Sequence, residues 1–356
     1  MTRILVTGGC GFIGSAFIRA AMKDPSTSIL NVDKMTYAAS PESTVEFIDE
    51  QRYSFDLIDI CGQAELLARL THFRPDRVVH FAAESHVDRS IDQPADFIRS
   101  NVLGTFSLVE CAQRYWENLD ENRRSTFRLL HVSTDEVFGS LAPESPPLTE
   151  RAAYAPSSPY AASKAGADHI VRAWQKTYGL PAIVANLSNN YGPFQFPEKF
   201  IPVVITAALT GETIPVYGDG MQIRDWLYVG DSVAGLIAAM DAGQSGATYL
   251  FSSGVETRNI DVVNTLCAII DECRPASPYR PHRDLIAHVA DRPGHDRRYS
   301  LNAETTRAAL QWSPARTLEQ GLSLTIRWYL ENQAWWQRRR IGRDGPRIGV
   351  GRSRQV

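Results

Sequence analysis

Ser133, Thr134, Asp135 and Glu136 stand in a row, and Tyr160-Ala-Ala-Ser-Lys164 follows two dozen residues later. Together they offer an acid, a base, a hydroxyl, a phenol and an ammonium. Two neighbouring carboxyls can divide into proton donor and proton acceptor when their surroundings push their pKa values apart. A tyrosine four residues before a lysine shares one face of a helix with it. The ammonium favours phenolate, so the spacing predicts a tyrosine lowered in pKa and tuned towards a general base. Moving a phenol from about 10 to about 7 takes roughly 4 kcal/mol of differential stabilisation. An Asp-Glu pair at a strand end is by itself a common solvated turn. The Tyr-Lys spacing is more selective, because the chain has 13 tyrosines and only Lys23, Lys34, Lys164, Lys176 and Lys199.

These groups need elements to hold them. Apolar and β-branched residues at 127–133 run into the polar break and read as a buried strand, and a helical pattern runs from Pro159 to about Tyr178. Strands are also expected at 3–7, 28–33, 53–57, 77–82 and 182–187, most of them separated by helical patterns. Such alternation predicts an α/β fold, a Rossmann-type doubly wound parallel sheet covered on both faces. Ligands then sit outside the carboxyl ends of the strands. The first strand ends in Thr7-Gly8-Gly9-Cys10-Gly11-Phe12-Ile13-Gly14, which satisfies both G-x-x-G-x-x-G and G-x-G-x-x-G. That turn suits close approach of a pyrophosphate to a helix N-terminus. Asp33, at the end of the next strand, can accept both adenosine ribose hydroxyls and would repel a 2′-phosphate, so NAD is expected rather than NADP. A bound nicotinamide's positive charge would add to the lysine's effect on Tyr160. Small residues Ala82, Ala83 and Ser85 after the fourth strand would let the cofactor lie across the sheet edge. His80 and His131, inside apolar strands, read as core histidines, whereas His86 is on a loop.

Composition narrows the class. Of 356 residues 44% are apolar and 22% charged, with a net charge of −3, which is ordinary for a water-soluble globular chain. No apolar run approaches the roughly 18 residues of a membrane span, and Met1-Thr2-Arg3 leads into a strand rather than a signal peptide. Cys10, Cys61, Cys111, Cys267 and Cys273 are scattered without metal-ligand spacing, so reduced thiols, no metal and a cytoplasmic location are expected. The end of the chain carries Arg338, Arg339, Arg340, Arg343, Arg347, Arg352 and Arg354 against Asp344. Residues 337–356 therefore read as a disordered arginine-rich tail, too short on an acidic body to imply nucleic acid. Proline and glycine become frequent after residue 190, which predicts a second lobe. The expected division is 1–188 plus 227–258 for the dinucleotide domain and 189–226 plus 259–336 for the smaller lobe. Arginines on its loops suit a diphosphate.

From residue 1 to about 332 the chain resembles the extended short-chain dehydrogenase/reductases that act on nucleotide sugars, and among them the 4,6-dehydratases. The carriers are the glycine turn at 7–14, Asn31-Val-Asp-Lys-Met-Thr-Tyr37, Ala82-Ala-Glu-Ser-His-Val-Asp-Arg-Ser90, Ser133-Thr-Asp-Glu-Val-Phe-Gly139, Ser158-Pro-Tyr-Ala-Ala-Ser-Lys164, Asn189-Asn-Tyr-Gly-Pro193, Pro197-Glu-Lys-Phe-Ile-Pro202 and Asp291-Arg-Pro-Gly-His-Asp-Arg-Arg-Tyr299. Thr-Asp-Glu carries the specificity, since the glycine and Tyr-Lys motifs belong to the whole superfamily. Cys10 replaces a usual alanine and Phe138 a usual tyrosine; neither position has a chemical role.

The resemblance implies NAD as cofactor, dTDP-glucose as substrate, and a homodimer joined through paired helices, for which 102–115 and 160–178 are available. A uridine nucleotide would fit the same loops. It implies catalysis by Thr134, Asp135, Glu136, Tyr160 and Lys164. Cofactor contacts fall at Gly8, Gly11, Phe12, Ile13, Gly14, Asp33, Lys34, Thr36, Asp59, Ile60, Ala82, Ala83, Ser85, Ser100, Tyr160, Lys164 and Asn190. Substrate contacts fall at Glu84, Thr134, Asn189, Lys199, Pro215, Tyr217, Arg224, Asn259, Arg292 and His295. The implied reaction oxidises C4, eliminates water across C5 and C6, and returns the hydride to C6. A nucleotide-sugar 4-epimerase or decarboxylase would share fold, cofactor and Tyr-Lys pair without needing the Asp-Glu pair. A non-catalytic NAD sensor would typically have lost Tyr160 or Lys164.

Overall fold

Ile4, Leu5 and Val6 are all buried, yet they face opposite ways: Ile4 and Val6 pack in one apolar cluster and Leu5 in another. That is the two-residue period of a strand covered on both faces. In the computed structural model, which describes residues 2–340, it recurs along a seven-stranded parallel sheet. The strands are β1 (Thr2–Thr7), β2 (Thr27–Asp33), β3 (Tyr53–Leu57), β4 (Arg77–His80), β5 (Arg128–Thr134) and β6 (Ala182–Leu187), with Thr248–Phe251 beyond β6 at the edge. The order is 248–251, β6, β5, β4, β1, β2, β3. Helices Phe12–Ala21 and Val229–Ala242 cover one face. Helices Gln63–Phe73, Gly104–Glu117 and Pro159–Tyr178 cover the other. The chain reverses direction across the sheet between β1 and β4, so the crevice opens above those strand ends.

The 159–178 helix has clear sequence punctuation. Ser158 Oγ accepts from Ala161 N, Pro159 takes the first helical position, and Gly179 closes the helix at φ 77°. The smaller lobe holds β7 (Asn189–Tyr191), β8 (Ile214–Tyr217) and β9 (Ile223–Tyr228). β9 pairs with β7 and, antiparallel, with Glu256–Arg258; β8 pairs with Ile286–Val289. Tyr191, Trp226, Tyr329, Trp335 and Trp336 anchor its core.

Three expectations are adjusted. Glu256–Arg258 belongs to the lobe's sheet, because its partner is β9. Leu310 and Trp312, placed in the lobe by sequence, pack against Phe251 and helix 229–242 in the core of the larger layer. The helix Gln333–Arg340 runs four residues into the supposed tail. Trp335 and Trp336 are buried, and Arg339 and Arg340 pair with Glu42 and Glu212. Residues 341–356 lie outside the described residues. Among the described residues no helix is long and apolar enough to cross a membrane, no His/Cys/Asp/Glu group could hold a metal, and all five cysteines are free.

Candidate active site

Two chambers open at the carboxyl ends of the strands and meet at Tyr160. Phe12, Ile13, Ser85, Ser133, Tyr160, Gln195 and Lys199 line both.

The first lies over β1, β2 and β4. Gly8 (φ 71°) turns the chain so closely that a Cβ would stand 2.5 Å from Ala82 N, and one on Gly14 would stand 2.3 Å from the Gly8 carbonyl. Gly11 differs, for a Cβ there would meet only the Gly8 carbonyl, at 3.2 Å. Helix 12–21 starts at that point with no side-chain cap, leaving its N-terminus to the chamber. Asp33 closes the far side and accepts from Cys10 N (3.0 Å) and Met35 N (2.8 Å). Each oxygen keeps capacity for a hydroxyl. Lys34 donates to Ser100 Oγ. Open glycine, uncapped helix and ribose-accepting carboxylate together fit a dinucleotide.

The second chamber lies between the sheet and the lobe. Asn189, Lys199, Pro215, Tyr217, Arg224, Asn259, Arg292 and His295 all line it. Several buried polar atoms around it have no partner among the described residues, including Ser133 Oγ, Asn189 Oδ1, Gln222 Oε1, Asn259 Oδ1 and Arg292 Nε. Buried polar groups are rarely left so, so this wall suits a large, multiply hydrogen-bonding ligand. Phe200 stacks on Trp226 at 5.5 Å between centroids and 19° between planes, giving the same chamber an aromatic side. Three sequence assignments fall elsewhere. Glu84 lines the first chamber rather than the second, Asn190 the second rather than the first. Asp59 lines neither; its carboxylate accepts from Cys61 N in a local turn, while Ile58 and Ile60 beside it form the wall.

β5 delivers its terminal residues to the seam. Thr134 Oγ1 donates to Asp135 Oδ1 (3.2 Å) and accepts from Glu136 N (3.3 Å). Asp135 is 2% exposed and lines neither chamber, and among the described residues its Oδ2 has no partner. Burial and then the Glu136 charge push its carboxyl well above the usual range. Glu136 lines the second chamber; burial raises it too, but Arg292, Arg224 and Lys199 pull it back. Adjacent carboxyls in unlike fields are what an acid–base division needs.

The Tyr160 phenol corrects an expectation. Burial, with the Glu136 charge, holds it above its ordinary value, and only the hydrogen bond with Thr134 opposes them. Lys164 alone does not bring it down. Its Nζ donates to the Val132 carbonyl at 2.8 Å, and burial lowers its own pKa to about 8 while Asp168 holds it up. Taking a phenolate out of water outweighs an ammonium already engaged with a carbonyl.

The histidines are structural in their contacts. His80 bonds to Thr7 and Thr105, and His131 to Asp168. His86 lines the second chamber, yet its Nδ1 accepts from Arg89 N as a helix cap, and burial lowers it to about 2. Gln195, Glu198, Phe200, Gln222 and Trp226 also line that chamber and were missed by sequence reasoning. Glu198 and Phe200 flank Lys199 in the 197–202 motif, and Gln222 and Trp226 stand two residues either side of Arg224, so each had a local signal.

A family model described as GDP-mannose 4,6 dehydratase matches residues 5–325. The chain belongs to that family. It is 51% identical to the dTDP-glucose 4,6-dehydratase of Neisseria meningitidis serogroup B over 339 residues, 95% of this chain and 96% of that one. Against dTDP-glucose 4,6-dehydratase 1 of Escherichia coli K12 the identity is 50%, with 94% of each chain covered. The crystal structure of dTDP-glucose 4,6-dehydratase from Bacillus anthracis in complex with NAD matches with a TM-score of 0.84 at 37% identity, over 95% of this chain and all of that one. A UDP-glucose 4-epimerase from Thermotoga maritima matches with a TM-score of 0.80 at 25% identity, over 93% of this chain and 100% of that one. The fold is therefore shared with epimerases, and sequence likeness separates this chain from them.

Proposed function

We propose that this protein is an NAD-dependent hydro-lyase that converts dTDP-glucose to dTDP-4-keto-6-deoxyglucose and water. The observation that carries it is an adjacent pair, Asp135 buried and Glu136 lining the second chamber together with Tyr160, two carboxyls held in unlike fields. A 4-epimerase has no use for that pair. The relatives about half identical to this chain bear the same activity in their names.

The first chamber holds the cofactor: Gly11 and the helix 12–21 N-terminus take the pyrophosphate and Asp33 the adenosine ribose, which favours NAD over NADP. When bound, NAD supplies an acceptor for the C4 hydrogen and gives it back at C6. The second chamber takes the nucleotide sugar, with Arg224, Arg292 and Lys199 as cations for the diphosphate. Tyr160, reached from both chambers, removes the C4 hydroxyl proton while Thr134 hydrogen-bonds the oxygen that becomes the ketone. The C5 hydrogen is then alpha to a carbonyl and acidic enough for Glu136 to remove. Asp135, kept protonated, gives its proton to the C6 hydroxyl, which leaves as water. Glu136 finally returns a proton to C5 as the hydride arrives at C6, so there is no net oxidation.

The chain works as a cytoplasmic homodimer on this reading. Ile98 and Leu103, 52% and 48% exposed beside helix 104–117, are apolar surface that such helix pairing would cover. Sedimentation at the mass of one chain would remove the dimer.

Incubation with dTDP-glucose and with UDP-glucose, following the 4-keto product by mass, tests the whole reading. The thymidine nucleotide should lose water and the uridine nucleotide should react far more slowly. Retention of the C6 oxygen in the product would overturn the dehydratase assignment.

A further inference from the structure

Tyr160, Lys164 and Asp168 stand four residues apart on the buried face of the 159–178 helix. The first two belong to the seam. Asp168 has no route to either chamber, yet it is fully buried, as is the His131 it meets at 3.0 Å. Its other oxygen accepts from Tyr154 Oη (2.7 Å) and Asn186 Nδ2 (3.2 Å). Every one of those donors is neutral. His131 is held to about 4 by burial and Lys164, burial and Asp168 keep Tyr154 a phenol, and Asn186 has no charge. His80 on β4, beside His131, is kept neutral by burial, and Arg172, one helix turn beyond Asp168, is the other cation near the cluster, donating to the Tyr154 hydroxyl (2.7 Å) and lying over that ring. Three hydrogen bonds thus satisfy the carboxylate without cancelling its charge. A buried carboxylate still needs a cation, and a buried ammonium an anion.

We propose that Asp168 is a positioning residue, the buried counter-ion that keeps Lys164 protonated so that its charge is present when Tyr160 takes the substrate proton. It rests on the reading of Tyr160 and Lys164 given above. Apart from the first chamber, which it lines, Lys164 without Asp168 is faced among the described residues by neutral groups: Tyr160 on its own helix, the Val132 carbonyl and His131 on β5, and His80 on β4. An ammonium in such surroundings gives up its proton.

The full chain has only five lysines, so protein made with lysine carbon-13-labelled at Cε gives a short spectrum, and Lys164→Arg identifies the signal. In the wild type Lys164 should titrate near 8 and be charged at neutral pH. In Asp168→Asn its titration should fall by about one pH unit, as it loses an opposite charge one helix turn away. The alkaline limb of turnover should move down with it. Tyr154→Phe, which removes a neutral donor but no charge, should leave both nearly in place. Thermal melting confirms that each variant is folded. A folded Asp168→Asn with an unmoved Lys164 signal overturns the proposal, as does an alkaline limb that stays put while the signal moves. If Asp168→Asn does not fold, the wild type decides: a Lys164 found neutral at pH 7 overturns it. The titration needs no substrate, so it stands or falls separately from the dehydratase reading.

Discussion

The two chambers are built from different materials. The cofactor side is made largely of backbone: a glycine turn, an uncapped helix and a carboxylate tied to two main-chain N–H groups. Its parts come mostly from the first 100 residues, in short contiguous motifs. The substrate side is made of side chains from segments as far apart as Asp88 and Arg292, which meet at 3.0 Å. It keeps polar atoms unpartnered. A backbone site is tight and tolerates little, while a side-chain site can lose one contact and still fold. The chemistry sits where the two meet.

The largest effects should therefore come at the seam. Tyr160→Phe and Glu136→Gln should each lower turnover by roughly 10²- to 10⁴-fold, the usual worth of a general acid or base. They should fail differently. Glu136→Gln, still able to oxidise C4, should show reduced-nicotinamide absorbance on mixing with dTDP-glucose; Tyr160→Phe should not. In deuterated water the wild type should carry solvent deuterium at C5, and an unlabelled C5 at normal turnover would sink the proton-abstraction step. The pH profile follows with its sign. Glu136 must be ionised, and its pKa is raised, so turnover falls on the acid side above the ordinary glutamate range. Asp135 and Lys164 must be protonated, so turnover falls again as pH rises through theirs. A flat profile across neutral and mildly alkaline pH would contradict the division of roles.

The cofactor side can be broken at its backbone. Gly8→Ala puts an alanine at φ 71°, a strain of about 1–3 kcal/mol, and drives its Cβ against Ala82. The melting temperature should drop and NAD content with it. Gly11→Ala, whose Cβ points to open space but for one carbonyl, should melt close to the wild type and yet purify with less NAD. Equal loss of stability in both would mean that Gly11 serves packing.

The same contrast explains what sequence could tell. The sheet was legible because β1, β2 and β5 each carry a short apolar stretch, Ile4-Leu5-Val6, Ile29-Leu30 and Leu129-Leu130, that runs on to polar residues at the crevice. The edge strand Thr248–Phe251 was not among the expected strands, being four residues long and without alternation. Glycine turn, Asp33 and Tyr-Lys spacing were legible because each is local. Gln222 and Trp226 were not assigned, although they flank the expected Arg224 at a strand's two-residue spacing, because that segment was not among the expected strands and the spacing marks a shared face only in a strand. One influence on the phenol was out of reach for a related reason. Spacing along a helix gives the charge of Lys164 but not the depth of burial that opposes it.

The smallest predicted effect tests whether the substrate side binds or also tunes. Arg292 bonds to Asp88 at 3.0 Å, keeps Nε without a partner, and is the first of the cations that lower Glu136. A guanidinium presents a planar fork to a phosphate, and lysine presents a single point. Arg292→Lys keeps the positive charge and removes the fork. Losing one hydrogen bond to a charged group is worth about 1.5–3 kcal/mol, so KM for dTDP-glucose should rise by roughly tenfold or more. The retained charge should leave kcat and its acid limb almost unchanged. A fall in kcat with KM intact would mean that Arg292 matters mainly through the field at Glu136, and the substrate chamber would then be part of the catalytic machinery rather than a grip on the nucleotide.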